Sequence, residues 1–285
     1  MNHAGEARGP GAARSEWVGI PDRKPVHVRM WGERGVPLLL VHGFMGDARA
    51  WGDLGERLAA RFRVAAVDLP GHGRSAGGVD PGRYRVPDVA RDLGRVQEEV
   101  LGGPAWWLGY SMGGRIALAA ACEGVPIRGL LLESASPGIQ DPEARRRRRG
   151  EDRRRAERLE AVGTDAFVDW WLGLPLFRGL ERLPAPARAA ARAVRASQDA
   201  GRMAAWLRGG GSGSQPSYWE ALASLELPVH LLVGEADGKF REIAEAMRAR
   251  LRGATLRQLP AVGHLPHLEA PDAWCDWAEV AVDEG

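Results

Sequence analysis

AWWLGYSMGGRIALAA, residues 105–120, joins a short apolar run to a helical pattern through GYSMG. AWWL reads as a buried strand and RIALAA as a helix, so the G-x-S-x-G pattern between them falls at a strand-to-helix turn. Glycines on either side relieve crowding at so sharp a turn, and the turn pushes the Ser111 hydroxyl out above the sheet. The helix opening at Met112 aims its first amides at the same spot, which favours developing negative charge there. A bare G-x-S-x-G is a weak signal; its place between strand and helix is what singles out Ser111.

The alternation continues in both directions. Apolar runs recur at VHVRMW (26–31), VPLLLVH (36–42), RVAAVDL (63–69), RGLLLES (128–134) and PVHLLVG (228–234), with helical patterns at 86–101, 115–124 and 240–251. Near-continuous hydrophobicity suits a mostly parallel sheet covered on both faces by helices, so the class is α/β. A length of 285 residues with 45% apolar content fits one such core carrying an insertion. After residue 138 the strand-like runs stop, and an Arg/Ala/Trp-rich helical stretch follows until VHLLVG. The expected division is a disordered N-terminus at 1–18, a core at 19–138 and 225–285, and a helical cap at 139–224. Within the cap, GGGSGSQPS (209–217) reads as a flexible loop leading back to the core.

A serine hydroxyl needs a histidine to take its proton, and the histidine needs an acid to fix its tautomer. The order Ser, acid, His along the chain is the signature of the α/β-hydrolase fold. AVGHLPHLEAP (261–271) offers His264 and His267 before the last helix; His264, preceded by a glycine, is preferred, with His267 as a hydrogen-bonded neighbour. GEADGKF (234–240) follows a strand and places Asp237 where the acid belongs, with Glu235 and Glu133 as rivals. HGFMG (42–46) follows another strand, where this fold supplies half of its oxyanion hole, so the amides of Phe44 and Met112 are expected to converge on a developing oxyanion. DLPGHGRS (68–75) reads as a structural loop at the site mouth, with His72 not catalytic. Of the eleven tryptophans, Trp170 and Trp171 are expected to face a ligand from the cap.

A formal charge of +2 argues against a dedicated nucleic-acid binder, while RRRRR at 145–149 and RRR at 153–155 point to an anionic small-molecule partner. A solvated helix face accounts for most of those arginines individually. Two distant cysteines, Cys122 and Cys275, suit reduced thiols in a cytoplasmic protein. No stretch of about 18 apolar residues and no signal-peptide pattern occurs, so neither membrane insertion nor export is expected. No His/Cys/Asp cluster has the spacing of metal ligands, and a monomer would suffice.

HGFMGDARAW, DLPGHGRS, GYSMGGRIAL, LLLESASPGIQDPEARRRR, FVDWWLGLPLF, VRASQ, GEADGKF and GHLPHLEAP together resemble the 2-succinyl-6-hydroxy-2,4-cyclohexadiene-1-carboxylate synthases of menaquinone biosynthesis. The likeness runs from about residue 36 to about 275. It implies a lyase without metal or organic cofactor, in which the serine, activated by histidine, removes a proton and pyruvate leaves from an enolpyruvyl ether. The substrate so implied carries three carboxylates, a task suited to arginine forks. Arg115, Arg148 and Arg195 match the arginines that the family uses for them, with Tyr110 and Trp170 as pocket neighbours. Five consecutive arginines leave the register open, Arg145 being the alternative to Arg148. The arginine surplus over 141–160 is unexplained by three carboxylates.

Two other functions fit parts of the pattern. A carboxylesterase or C–C bond hydrolase would use the same triad, but its pocket is usually apolar and gains nothing from three guanidinium groups. A non-catalytic binding module on the same scaffold is the third reading, since fold alone does not establish activity.

Overall fold

In the computed structural model, which describes residues 13–75 and 77–285, the apolar runs become the interior of one eight-stranded sheet. Its strands are β1 (Arg14–Val18), β2 (Val26–Trp31), β3 (Val36–Val41), β4 (Phe62–Val67), β5 (Trp106–Tyr110), β6 (Gly129–Glu133), β7 (Val229–Gly234) and β8 (Thr255–Leu259). They lie in the order β1-β2-β4-β3-β5-β6-β7-β8, antiparallel at β1/β2 and β2/β4 and parallel elsewhere. Covering helices explain why the inner strands are apolar on both faces.

Two strands were not expected, and both lie at edges. Arg14–Val18 pairs with β2, from Arg14 opposite Met30 to Val18 opposite Val26, so the expectation of disorder up to residue 18 is corrected from residue 14 onward. Residues 1–12 of that expected tail lie outside the described residues. β8, TLRQL, pairs with β7 and buries only Leu259. An edge strand keeps much of its surface in water, so its sequence carries no apolar run to read.

Helices α1 (Gly52–Leu58), α2 (Val86–Leu101), α3 (Met112–Cys122), α4 (Pro142–Leu172), α5 (Ala185–Ala196), α6 (Ala200–Gly209), α7 (Gly238–Arg248), α8 (Pro266–Glu269) and α9 (Pro271–Glu284) complete the chain. Between β6 and β7 the chain forms α4, α5, α6 and 3-10 turns, one of them at Pro175–Arg182, and no strand. α4 is two helical stretches joined at Gly163, whose φ of 76° departs from the helix. Asp141 caps its start, accepting the amides of Glu143 and Ala144. No helix among the described residues is long and apolar enough to cross a membrane.

Sheet order sets the site. The chain leaves β3 toward β4 on one side and returns to β5 on the other, so the carboxyl ends of β3 and β5 open side by side at a topological switch point. Open α/β sheets bind their ligands in the crevice at such a point. HGFMG and GYSMG are the segments that leave those two ends.

Candidate active site

Ser111 sits at the turn between β5 and α3 with φ 52° and ψ −105°, a conformation that costs a non-glycine residue energy and persists only where its surroundings enforce it. Its amide is held by the carbonyl of Glu133 at 2.8 Å. A side chain on Gly113 would collide with the backbone carbonyl of Val41, which is why the first turn of α3 can approach β3 so closely. This turn presents Oγ to His264, whose Nε2 accepts from it at 3.1 Å.

His264 Nδ1 lies 2.6 Å from Asp237 Oδ2. An ionised carboxylate only accepts, so the proton is on Nδ1 and Nε2 is left free to take another. Asp237 ends the loop after β7 and precedes α7; His264 follows β8, so sheet pairing brings three distant residues into one line. The two rival acids are engaged elsewhere. Glu133 is fully buried and accepts from His267 Nδ1 at 2.7 Å and from Trp274 Nε1 at 2.9 Å, which also fixes His267 as a neighbour. Glu235 is exposed, and it accepts the amide of Ala261.

Beside Ser111 lies a cavity of about 340 Å³, and Phe44 and Met112 both line it. The Phe44 loop is braced by His42, which donates from Nδ1 to the carbonyl of Gly43 at 2.8 Å and accepts the amide of Leu69 on Nε2 at 3.0 Å. Burial lowers the His42 pKa and keeps it neutral. His72 packs edge-on between the rings of His42 and Trp206 and does not line the cavity.

The cavity wall combines apolar rings, among them Trp171, Phe177 and Phe240, with Arg115, Arg148, Arg195 and Lys239. Arg115 is buried and donates to Gln215 Oε1 at 2.6 Å and to the Gly210 carbonyl at 3.1 Å. Burial, followed by the like charge of Arg148, lowers its pKa to about 10, which leaves it a cation at neutral pH. Arg195 is buried as well, donates to the Ala191 carbonyl at 2.7 Å and has no hydrogen-bond partner for Nε among the described residues. Tyr110 lines the cavity with its phenol pKa raised, chiefly by burial, so it stays protonated.

The arginine run resolves on α4. Arg148 lines the cavity and Arg145, one turn earlier, does not. Arg148 Nε donates at 2.8 Å to the buried Asp152, which also accepts from Arg155 and from the Gly213 amide. Arg146, Arg147, Arg149, Arg153 and Arg154 are exposed.

Two expectations are corrected here. Trp170 does not line the cavity: its ring stacks under Arg158, with 4.6 Å between guanidinium carbon and ring centroid, and Trp171 takes the inner place. The helical rotation of about 100° per residue puts adjacent tryptophans on different faces, and the sequence names both without ranking them. The 209–217 segment is not a loose linker. Gly210, Gly211 and Ser212 line the cavity, Gln215 is buried, and a side chain on Gly213 would strike the backbone of Arg149. Its glycines serve close approach to α4, a use that composition does not separate from flexibility.

Lys239, Asp152 and Gln215 are among the site residues that the sequence reading left unassigned, as are Phe177 and Phe240. For Lys239 a signal existed: it is one of only two lysines in a chain rich in arginine, two residues after the acid. Burial, then the nearby Arg148 charge, lowers its pKa. No group of three or more His, Cys, Asp or Glu side chains gathers as metal ligands among the described residues.

The profile of the alpha/beta hydrolase family matches residues 38–277. A 2-succinyl-6-hydroxy-2,4-cyclohexadiene-1-carboxylate synthase of Salmonella paratyphi C is 38% identical over 247 residues, covering 85% of this chain and 92% of that one. Among solved structures, MenH from S. aureus superposes with a TM-score of 0.86 at 32% identity, over 90% of this chain and 98% of that one. A thermophilic esterase from Thermogutta terrifontis superposes at 0.82 with 27% identity, over 95% and 99%.

Proposed function

The chain belongs to the alpha/beta hydrolase family and, within it, to the 2-succinyl-6-hydroxy-2,4-cyclohexadiene-1-carboxylate synthases, and from this we propose a serine-based elimination that needs no water. The enzyme is a lyase of menaquinone biosynthesis. It converts 2-succinyl-5-enolpyruvyl-6-hydroxy-3-cyclohexene-1-carboxylate to the 2,4-diene and pyruvate.

The ring hydrogen beside the succinyl ketone is the acidic one. Ser111 Oγ takes this proton as its own passes to His264 Nε2, with Asp237 stabilising the imidazolium. Charge builds on the ketone oxygen, where the amides of Phe44 and Met112 act as they would on a tetrahedral oxyanion. Collapse of the enolate moves the ring double bond, breaks the ring C–O bond and releases enolpyruvate, which picks up a proton to become pyruvate. That proton is supplied by His264 through Ser111, so the proton lost by the ring is balanced by the one gained by pyruvate and the enzyme is restored.

The observation that carries this reading over ester hydrolysis is the set of four cations on the cavity wall, two of them, Arg115 and Arg195, buried. Desolvating cations is costly unless an anion compensates, and on the wall itself Asp152 is the one carboxylate among the described residues, with Asp47 and Asp237 acting on Arg195 and Lys239 from outside it. The wall residues by themselves thus carry an excess of three positive charges, which suits three carboxylates; a neutral ester would make no use of them. The helical segment 139–224 acts as a cap, presenting Arg148 and Arg195 opposite Ser111. Two free thiols, Cys122 and Cys275, accord with work in the cytoplasm. Incubation with the enolpyruvyl cyclohexene substrate, with pyruvate followed by a coupled assay, tests the proposal; hydrolysis of simple esters at comparable efficiency, without pyruvate release, overturns it.

A further inference from the structure

Glu269 belongs to the GHLPHLEAP segment, yet nothing in the chemistry above uses it. Its side chain is only 3% exposed. One carboxylate oxygen accepts the amide of Gly263 at 2.8 Å and the other the amide of Leu265 at 3.2 Å, so the two bonds bracket His264. Arg182, from the turn at Pro175–Arg182, donates Nη2 to the same carboxylate at 2.6 Å and to the Ala261 carbonyl at 2.8 Å. Ala261 itself has φ 60°, a strained start to the loop.

The same turn makes two further contacts, one with the histidine and one with the carboxylate. Phe177 packs edge-on against the His264 ring at 6.1 Å, and a side chain on Gly179 would collide with the Glu269 carboxyl group. From these contacts we infer that Glu269 is a positioning residue for His264 and that Arg182 clamps it from the cap. A loop held on both sides by one anion keeps Nε2 at hydrogen-bond distance from Ser111, where a misplacement of about 1 Å can cost ~100-fold in rate. Glutamine is a poor substitute, because its amide nitrogen cannot accept and would face either a backbone N–H or Arg182.

The inference rests on the reading of His264 as the proton carrier, and its test separates the two. Glu269→Gln and Arg182→Ala are compared with the unaltered enzyme for kcat, KM and the downfield proton resonance of the His264–Asp237 hydrogen bond. Glu269→Gln should lower kcat about 10- to 100-fold with KM changed less than about threefold, and should broaden or shift that resonance. Arg182→Ala should move both readouts the same way by less, and Arg182→Lys should recover part of the loss. Should Glu269→Gln fail to fold, Arg182→Ala decides alone, since Arg182 is half exposed. An unchanged kcat and resonance in either folded variant, or a loss confined to KM, overturns the inference. Ser111→Ala keeps the resonance and loses turnover if the chemical reading holds; if it stays active, that reading fails, while the resonance still reports whether Glu269 fixes His264.

Discussion

Arg148 reaches the buried carboxylate of Asp152 through Nε at 2.8 Å, and this leaves its two terminal nitrogens free of other protein partners among the described residues. The carboxylate thus aims a cation and partly neutralises it. Asp152→Asn should keep the fold but loosen Arg148 and add one net positive charge to the wall. We expect KM to rise several-fold with a smaller change in kcat, and the effect of Arg148→Ala to shrink in the Asp152→Asn background. Additive losses in that double-mutant cycle would separate the two residues.

Ser111→Ala and His264→Ala should each lower kcat by about 10³-fold or more, and the pair together by little beyond either, because they move one proton as a unit. Asp237→Asn should be roughly one to two orders of magnitude milder, in keeping with an orienting role. Circular dichroism on each variant establishes that the loss is chemical.

Removing Arg115, Arg148 or Arg195 should cost about 2–5 kcal/mol of substrate recognition, the usual range for truncating one side of a buried charged contact. Arg115 should matter most, since α3 carries it beside Ser111. Arg115→Lys keeps the charge but loses the paired bonds to Gln215 and Gly210, so it should fall between the parent and Arg115→Ala. Added salt should weaken capture of the trianion through screening, read as a falling kcat/KM. Flat salt dependence with three silent alanine variants would favour an ester substrate.

Elimination forms no acyl-enzyme. Turnover in oxygen-18 water should leave the ring product unlabelled, with pyruvate analysed promptly because its ketone exchanges. Rapid quench and mass spectrometry should find no adduct on Ser111. An ester trapped there at kinetically competent levels would restore ordinary nucleophilic hydrolysis.

Stability should fall as pH drops below about 6.5, apart from any effect on catalysis. Burial lowers the pKa of His42 and His230 and lowers that of His72 well below 6.5. Between the lowered folded values and 6.5 the unfolded chain binds protons that the folded chain refuses, so unfolding free energy rises with pH in that window and levels off above it. Each such histidine contributes up to about 1.4 kcal/mol per pH unit. Urea melts at pH 7.5 and 5.5 measure the slope, and His72→Gln should reduce it.

Ser111, Asp237 and His264 could be named from the sequence because each sits at the end of an apolar strand or in a loop with its own local signature. The inner strands were legible for the same reason: a strand buried on both faces must be mostly apolar, and β3 to β7 are, with Arg63, Glu133 and His230 as the charged or polar exceptions. β1 and β8 carried no such mark, because their stability comes from hydrogen bonds to one neighbour that any residue can make.

Sequence by itself thus determined the fold class and the chain order of the Ser, Asp and His that the structure brings into line, and its arginines pointed to an anionic partner, all from local pattern and residue type. Only the tertiary structure decided which arginine of the run faces the cavity, which tryptophan joins it and whether the glycine-rich segment is loose or packed. Those outcomes depend on how α4 is rotated and seated against residues some sixty positions away, as Asp152 is against Gly213. A run of identical arginines or a pair of tryptophans carries no local preference among its members, so packing makes the choice.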